Sequence, residues 1–329
     1  MQHIDFTALT VFAITLIITF IVSFIGRKQS QLTASGALAE EKLNKWLIGL
    51  SAGATANSGF VVTGAVGLGY MFGLQWILLP LSVLLGDIIY WRIFPKKINE
   101  ISQSNNIATL SDLITLNLSG RIKTVLAVLI AVLISLGLGL YTSAQWIAGE
   151  KFVNGAFGIS GYWALAGFAA IIIAYTSIGG VSWAVYVDSY QAVIRLIATT
   201  LALIAVIVIA AQNQDIFHRE ITEAGASFFY LSPSGTLPSI IGFIIGFTAA
   251  GLGFGLGQPQ IISRYMAGSS PDETQAARWI YIGFVHYTWI AMTIFGMVLR
   301  GVIPDLPDAE AGVGGFFAQH MGSILTGII

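Results

Sequence analysis

Cysteine is absent from this chain of 329 residues. That excludes disulfides, thiolate metal sites and a cysteine nucleophile, and carries no information on compartment. Charge is scarce as well: Asp, Glu, Lys and Arg make up 9% of the residues, against roughly 25% in soluble domains. The histidines, His3, His218, His286 and His320, are scattered without i,i+4 or carboxylate spacing. They suggest neither a metal site nor a Ser-His-Asp triad. A net charge of -1 argues against nucleic acid as a partner.

Apolar residues are what the chain has in abundance, at 56%, with a mean hydropathy of +0.81. A surface this apolar cannot face water, so the composition indicates an all-α polytopic membrane protein. A span needs about 20 largely apolar residues and must be helical, because lipid offers no partner to a free backbone group. The segments that qualify are Thr7–Gly26, Trp46–Phe72, Leu74–Phe94, Ile122–Ala148, Gly161–Ile178, Ser189–Ala211, Leu237–Leu256 and Trp279–Val302, with another opening near Phe316. Thr7–Gly26 has no basic region before it and no evident cleavage site, so it reads as a retained helix. Asn105–Leu118 reads as an amphipathic segment at the membrane face, and Gln212–Gly235 as a cap or short surface helix. Alternating the loops puts eleven of the fifteen Lys and Arg residues on one side and three on the other, with Arg195 inside a span. By the positive-inside rule the N-terminus is then outside, in a cell inner (plasma) membrane.

Three stretches break the apolar pattern. The first is Ser51-Ala-Gly-Ala-Thr-Ala-Asn-Ser-Gly59, all small or polar residues inside one span. It reads either as an unwound segment whose carbonyls suit Na+ or as a helix-packing seam. The second is Ser177-Ile-Gly-Gly-Val-Ser-Trp-Ala-Val-Tyr-Val-Asp-Ser-Tyr-Gln191. Gly179 and Gly180 form a hinge there, Asp188 is a lone carboxylate beside a span, and Gln191 follows it. Such an acid reads as an ion-handling group or as the cap of a helix starting at Ser189. The third is Gly251-Leu-Gly-Phe-Gly-Leu-Gly257-Gln-Pro259, too glycine-rich for an inexpensive helix end. Gln258 and Pro259 start a turn, after which Arg264 either anchors to lipid phosphate or meets an inner-gate carboxylate. Tyr141 and Gln145, one turn apart, line a solute pocket or make an interhelical hydrogen bond. Asp87 is a second intramembrane acid, with Arg92 or a nearby hydroxyl as its expected partner.

In combination, Leu50-Ser-Ala-Gly-Ala-Thr-Ala-Asn-Ser-Gly59, Tyr175-Thr-Ser-Ile-Gly-Gly…Ala184-Val…Asp188-Ser-Tyr-Gln191 and Gly257-Gln-Pro…Arg264-Tyr-Met-Ala267…Ala277-Arg278 resemble the sodium:solute symporter family, nearest to its proline-symporter branch. The resemblance implies one transporter domain of the leucine-transporter type, with inverted five-helix repeats. Residues 7–26 would be an extra first helix, 46–211 the first repeat and 237–329 a partial second repeat. It also implies Na+ as coupling ion, bound by carbonyls of Ala54 and Asn57 and linked to Asp188, with no other cofactor. Ser58, Tyr141, Gln145, Gly251 and Gly255 would face the solute, a small polar molecule such as an amino acid. Ala56 stands where the proline branch has an acid, and Gly251 and Gly255 where it has aromatic residues, implying a wider pocket. The family completes its Na+ site with hydroxyls beyond the last residues here, so a truncated chain, or one with a separate C-terminal partner chain, is expected. The activity implied is symport by alternating access rather than enzyme catalysis. A transport-defective sensor of the same fold and a proton-coupled permease are the alternatives.

Overall fold

The computed structural model describes residues 5–31, 43–159, 161–176 and 181–328. The hinge glycines Gly179 and Gly180 lie outside the described residues. The elements in chain order are α1 (Phe6–Gln31), α2 (Lys45–Asn57), α3 (Gly64–Phe72), α4 (Leu78–Ile93), α5 (Pro95–Asn105), α6 (Leu110–Ile114), α7 (Gly120–Phe157), α8 (Tyr162–Thr176), α9 (Val181–Gln212), α10 (Gln214–Glu223), α11 (Leu237–Gly257), α12 (Pro259–Met266), α13 (Pro271–Ala276), α14 (Arg278–Val302), α15 (Gly312–Phe316) and α16 (Gly322–Ile328). Five helical stretches among them are long and apolar enough to cross a membrane.

Local chemistry sets many of these boundaries. Asn44 caps α2 by accepting from the amides of Trp46 and Leu47 at 3.0 and 3.1 Å, satisfying two of the first-turn donors. Thr109 and Ser270 do the same for α6 and α13, and Pro occupies the first turn of α5, α11, α12 and α13, where its missing N–H costs nothing. Residues 214–223 form the short helix expected after the sixth span, and the amphipathic segment contains α6.

Two boundaries differ from expectation. α9 runs from Val181, so Asp188 sits two turns inside the helix and does not cap it. The last segment is not a single emerging span: α15, a π-turn over Phe317–Met321 and α16 follow one another, with Gly322 at φ 74° between the latter two. α16 lies on α1, where Thr15 donates to the carbonyl of Gly327 at 3.1 Å.

Packing separates two large apolar clusters from a small third one around Ala8, Ala156 and Phe157. One gathers Ile48, Ala52, Tyr90, Trp91, Val185, Tyr265 and Tyr281 from α2, α4, α9, α12 and α14. The other gathers Val61, Val66, Tyr70, Val206, Phe295, Leu299 and Phe316. By contrast, α7 leaves Ile122, Leu133, Leu136 and Leu140 exposed along its length, as a helix facing lipid would. The interval between α2 and α3 falls between the two clusters, and the polar residues converge there.

Candidate functional site

The second span is a broken helix. α2 ends at Asn57, and the chain turns at Ser58, whose φ of 50° and ψ of -170° lie in a region favoured by glycine. Helix resumes at Gly64. The break therefore comes at the end of the small-residue stretch, and Ser51–Asn57 remain helical. Ending a helix frees its last carbonyls, and the sequence supplies partners for several. Tyr141 on α7 donates to the carbonyl of Thr55 at 3.0 Å. One turn later Gln145 accepts from the amide of Gly59. Tyr141 and Gln145 thus clamp both sides of the break, which realises the interhelical hydrogen bond.

One guanidinium nitrogen of Arg195, on α9, lies 3.5 Å from the carbonyls of both Ala54 and Ser58. The side chain of Asn57 donates to Thr288 on α14, while its Oδ1 is buried without a hydrogen-bond partner. A buried, unmatched amide oxygen beside freed carbonyls is a chemically suitable ligand for a hard cation such as Na+. The residues on hand fit part of such a site.

Two turns before Arg195 on the same face of α9 is Asp188. Its carboxylate accepts from Ser51 at 2.9 Å and Thr55 at 3.4 Å, and pairs with Arg264 of α12 at 2.9 Å. Arg264 also donates through Nε to Ser51 at 3.2 Å and through Nη1 to the carbonyl of Gln260. Its side chain is 10% exposed, so Arg264 is buried against Asp188 and is not a lipid anchor. Gln191 follows Asp188 by one turn and is half-buried.

The glycine-rich stretch corrects a second expectation. It is helical through Gly257, and the chain breaks only at Gln258, where φ and ψ are -109° and 91°. Gly251 and Gly255 do not widen a solute pocket. A Cβ at Gly251 would stand 2.9 Å from the carbonyl oxygen of Val83, and one at Gly255 would stand 2.8 Å from the ring of Tyr90. The Tyr90 hydroxyl donates to the Gly255 carbonyl at 3.1 Å. These glycines let α11 and α4 touch, the close approach small residues permit in membranes. Pro259 then opens α12 and so places Arg264.

Asp87 also has a different partner from those expected. His286 on α14 bonds to it through Nε2 at 2.9 Å, both groups being buried. Chain distance concealed that pair. Further along α7, near its C-terminal end, Lys151 bridges Glu310 at 2.5 Å and Asp308 at 3.2 Å. Lys151, Glu310 and Gln145 line a cleft of about 360 Å³ with Phe60, Thr63 and Gly64, so it reaches the break itself. Arg195 was the most legible of the missed residues: an intramembrane Arg seven residues from an intramembrane Asp shares its helix face.

A long broken helix, a second interrupted helix and a carboxylate–guanidinium pair joining the helices around them belong to an all-α membrane fold of the leucine-transporter type. In overall structure the chain is similar to a Na+-coupled sialic acid symporter solved in a substrate-bound outward-open state, with a TM-score of 0.78 at 17% identity, covering 98% of this chain and 69% of that one. In sequence it is similar to sodium/proline symporters of Staphylococcus aureus, strains JH9 and Mu3 among them, at 30% identity over 88% of this chain and 54% of each relative. The sodium:solute symporter family model matches residues 37–322, and the chain belongs to that family. It spans about half the length of the curated relatives it matches.

Proposed function

We propose that this chain provides the ion- and solute-handling core of a Na+-coupled symporter that moves a small polar organic solute, such as an amino acid, by alternating access. The observation that carries this reading is the break at Ser58, where freed carbonyls, the unmatched Asn57 Oδ1 and a cleft meet between two packed clusters. Na+ would use the carbonyls of Ala54 and Asn57 with the Asn57 side chain, and further oxygens would come from portions of the relatives outside this span. The solute would enter by the cleft toward Ser58, Tyr141 and Gln145. The Asp188–Arg264 pair would close the opposite end, and its opening would release the load.

Residues 46–211 and 237–329 would then form a first repeat and part of a second. The Lys and Arg asymmetry supports an N-terminus outside and an Asp188–Arg264 pair toward the cytoplasm of a cell inner membrane. The driving force would be the Na+ gradient, whose electrical part is about 2.3 kcal/mol per charge per 100 mV. Proline is the first solute to try, because the S. aureus relatives bear that name, and sialic acid the second. The test is uptake of each labelled solute into proteoliposomes under an inward Na+ gradient. Accumulation that disappears when K+ replaces Na+ supports the reading. Uptake indifferent to that replacement removes it.

A further inference from the structure

Arg278 opens α14 and has no part in the site described above. Its guanidinium lies over the ring of Trp279, 4.7 Å from the centroid. Its Nε is buried without a hydrogen-bond partner, and among the described residues it forms no ion pair. Arg264 differs, because Asp188 meets its charge at 2.9 Å. A half-buried guanidinium stays charged at any physiological pH, and its planar fork suits a phosphate group.

The surroundings supply the rest of a phosphate site. α2 and α14 start side by side: a Cβ on Gly49 would stand 2.7 Å from Ile280 and 3.0 Å from the carbonyl oxygen of Ala277. Lys45 precedes Gly49 by one turn on the same face and is exposed. Glu273 joins the two starts. Its carboxylate accepts from the amide of Lys45 at 2.8 Å, and its carbonyl accepts from the amide of Ala277 at 3.1 Å. The Glu273 carboxylate is thereby engaged, and with Lys45 and Arg278 the cluster keeps a net positive charge. Trp46 and Trp279, each second in its helix, are 58% and 60% exposed. Indoles exposed in this way settle at the level of lipid headgroups. Cations beside exposed aromatics match a molecule with phosphate at one end and hydrocarbon at the other.

We propose that the starts of α2 and α14 form a binding site for an acidic phospholipid, whose phosphate is held by Arg278 and Lys45 and whose acyl chains lie against Trp46 and Trp279. The lipid phosphate expected at Arg264 falls to Arg278 instead. Phosphatidylcholine carries the same phosphate, but its quaternary ammonium brings a third cation toward these two. The site therefore prefers a headgroup without one, such as phosphatidylglycerol.

The test is thermal stability of the purified chain in detergent, titrated with dioleoylphosphatidylglycerol or dioleoylphosphatidylcholine, in the wild type, Arg278→Gln and Arg121→Gln. A ligand of the native state raises the melting temperature as it fills its site. The wild type is expected to respond to phosphatidylglycerol at lower mole fraction than to phosphatidylcholine. Arg278→Gln is expected to bind phosphatidylglycerol on the order of fivefold to tenfold more weakly, with phosphatidylcholine unchanged. Arg121, exposed at the start of α7, reports the loss of one charge elsewhere, and its variant is expected to behave as the wild type. Equal weakening in both variants means diffuse attraction and overturns the site. The absence of a phosphatidylglycerol preference in the wild type overturns it too, as does equal stabilisation by soluble glycerol 3-phosphate. If Arg278→Gln does not yield monodisperse protein, Lys45→Gln takes its place. A second reading is quenching of tryptophan emission by brominated-chain lipids. Phosphatidylglycerol is expected to quench more than phosphatidylcholine, and an excess that survives in Trp46→Phe/Trp279→Phe overturns the site.

Discussion

The interrupted helices α2–α3 and α11–α12 both follow stretches of small residues, yet the two breaks are built differently. At Ser58 the chain leaves the helix for six residues, and side chains from α7 and α9 come to meet the main-chain groups it frees. At Gln258 the interruption is one residue long, and Pro259 starts the next helix at once. Gly251 and Gly255 before it are packed against α4. The first break displays polar backbone, whereas the second redirects the chain so that Arg264 reaches Asp188. Small residues therefore serve two ends here: unwinding in one place and close helix contact in the other. What surrounds them decides which.

The largest effect is expected where the two breaks are tied together. Asp188→Asn removes the partner of the buried Arg264, and losing one member of a partly buried pair costs about 2–4 kcal/mol. The expected result is a lower melting temperature and loss of Na+-dependent uptake, with the protein still inserted. A double-mutant cycle with Arg264→Gln is expected to give a coupling well above that of a surface pair.

Next comes the helix contact beside the second break. Gly86→Ala would push a Cβ to 2.3 Å from the carbonyl oxygen of Thr248 and 2.8 Å from the amide of Leu252. Backbone cannot move aside as a flexible side chain can, so a loss of about 1–3 kcal/mol is expected. Gly253→Ala, where nothing lies within 4 Å, is expected to leave stability unchanged or raise it by up to about 1 kcal/mol through helix propensity. Opposite results for these neighbours in thermal melts would sharpen the packing account, and equal losses would break it.

Smaller effects belong to the first break. Tyr141→Phe deletes the bond to the Thr55 carbonyl and is expected to cost about 1 kcal/mol, with a fall in solute affinity. Ser58→Gly relieves the unfavourable backbone conformation, offset by loss of the bond from the Phe60 amide to the Ser58 hydroxyl. A gain of up to about 1 kcal/mol is expected. Ser58→Val should destabilise instead, since a β-branched residue tolerates that φ least.

Much of the fold was legible because its signals are local. Apolar stretches located the long apolar helices, five of which are long enough to span among the described residues, and the run of small residues from Ser51 to Gly59 marked a break, though not that it starts only at Ser58. Side-chain pairings across the bundle were not legible. Arg264 with Asp188, and His286 with Asp87, are separated by 76 and 199 residues, and no spacing rule connects them. Gly251 and Gly255 illustrate the other limit. Glycine leaves space, but the sequence does not say whether a solute or a neighbouring helix fills it, and here Tyr90 and Val83 do. Arg195 was visible as an intramembrane charge. That it reaches the carbonyls of Ala54 and Ser58 depended on where α9 lies against α2.

Hydrogen exchange with saturating Na+ against K+ at equal ionic strength tests most directly whether the first break is the cation-handling one. Protection by Na+ of the segment 54–63, with 251–259 unchanged, is the expected result. Equal protection of both segments, or none in either, would contradict it.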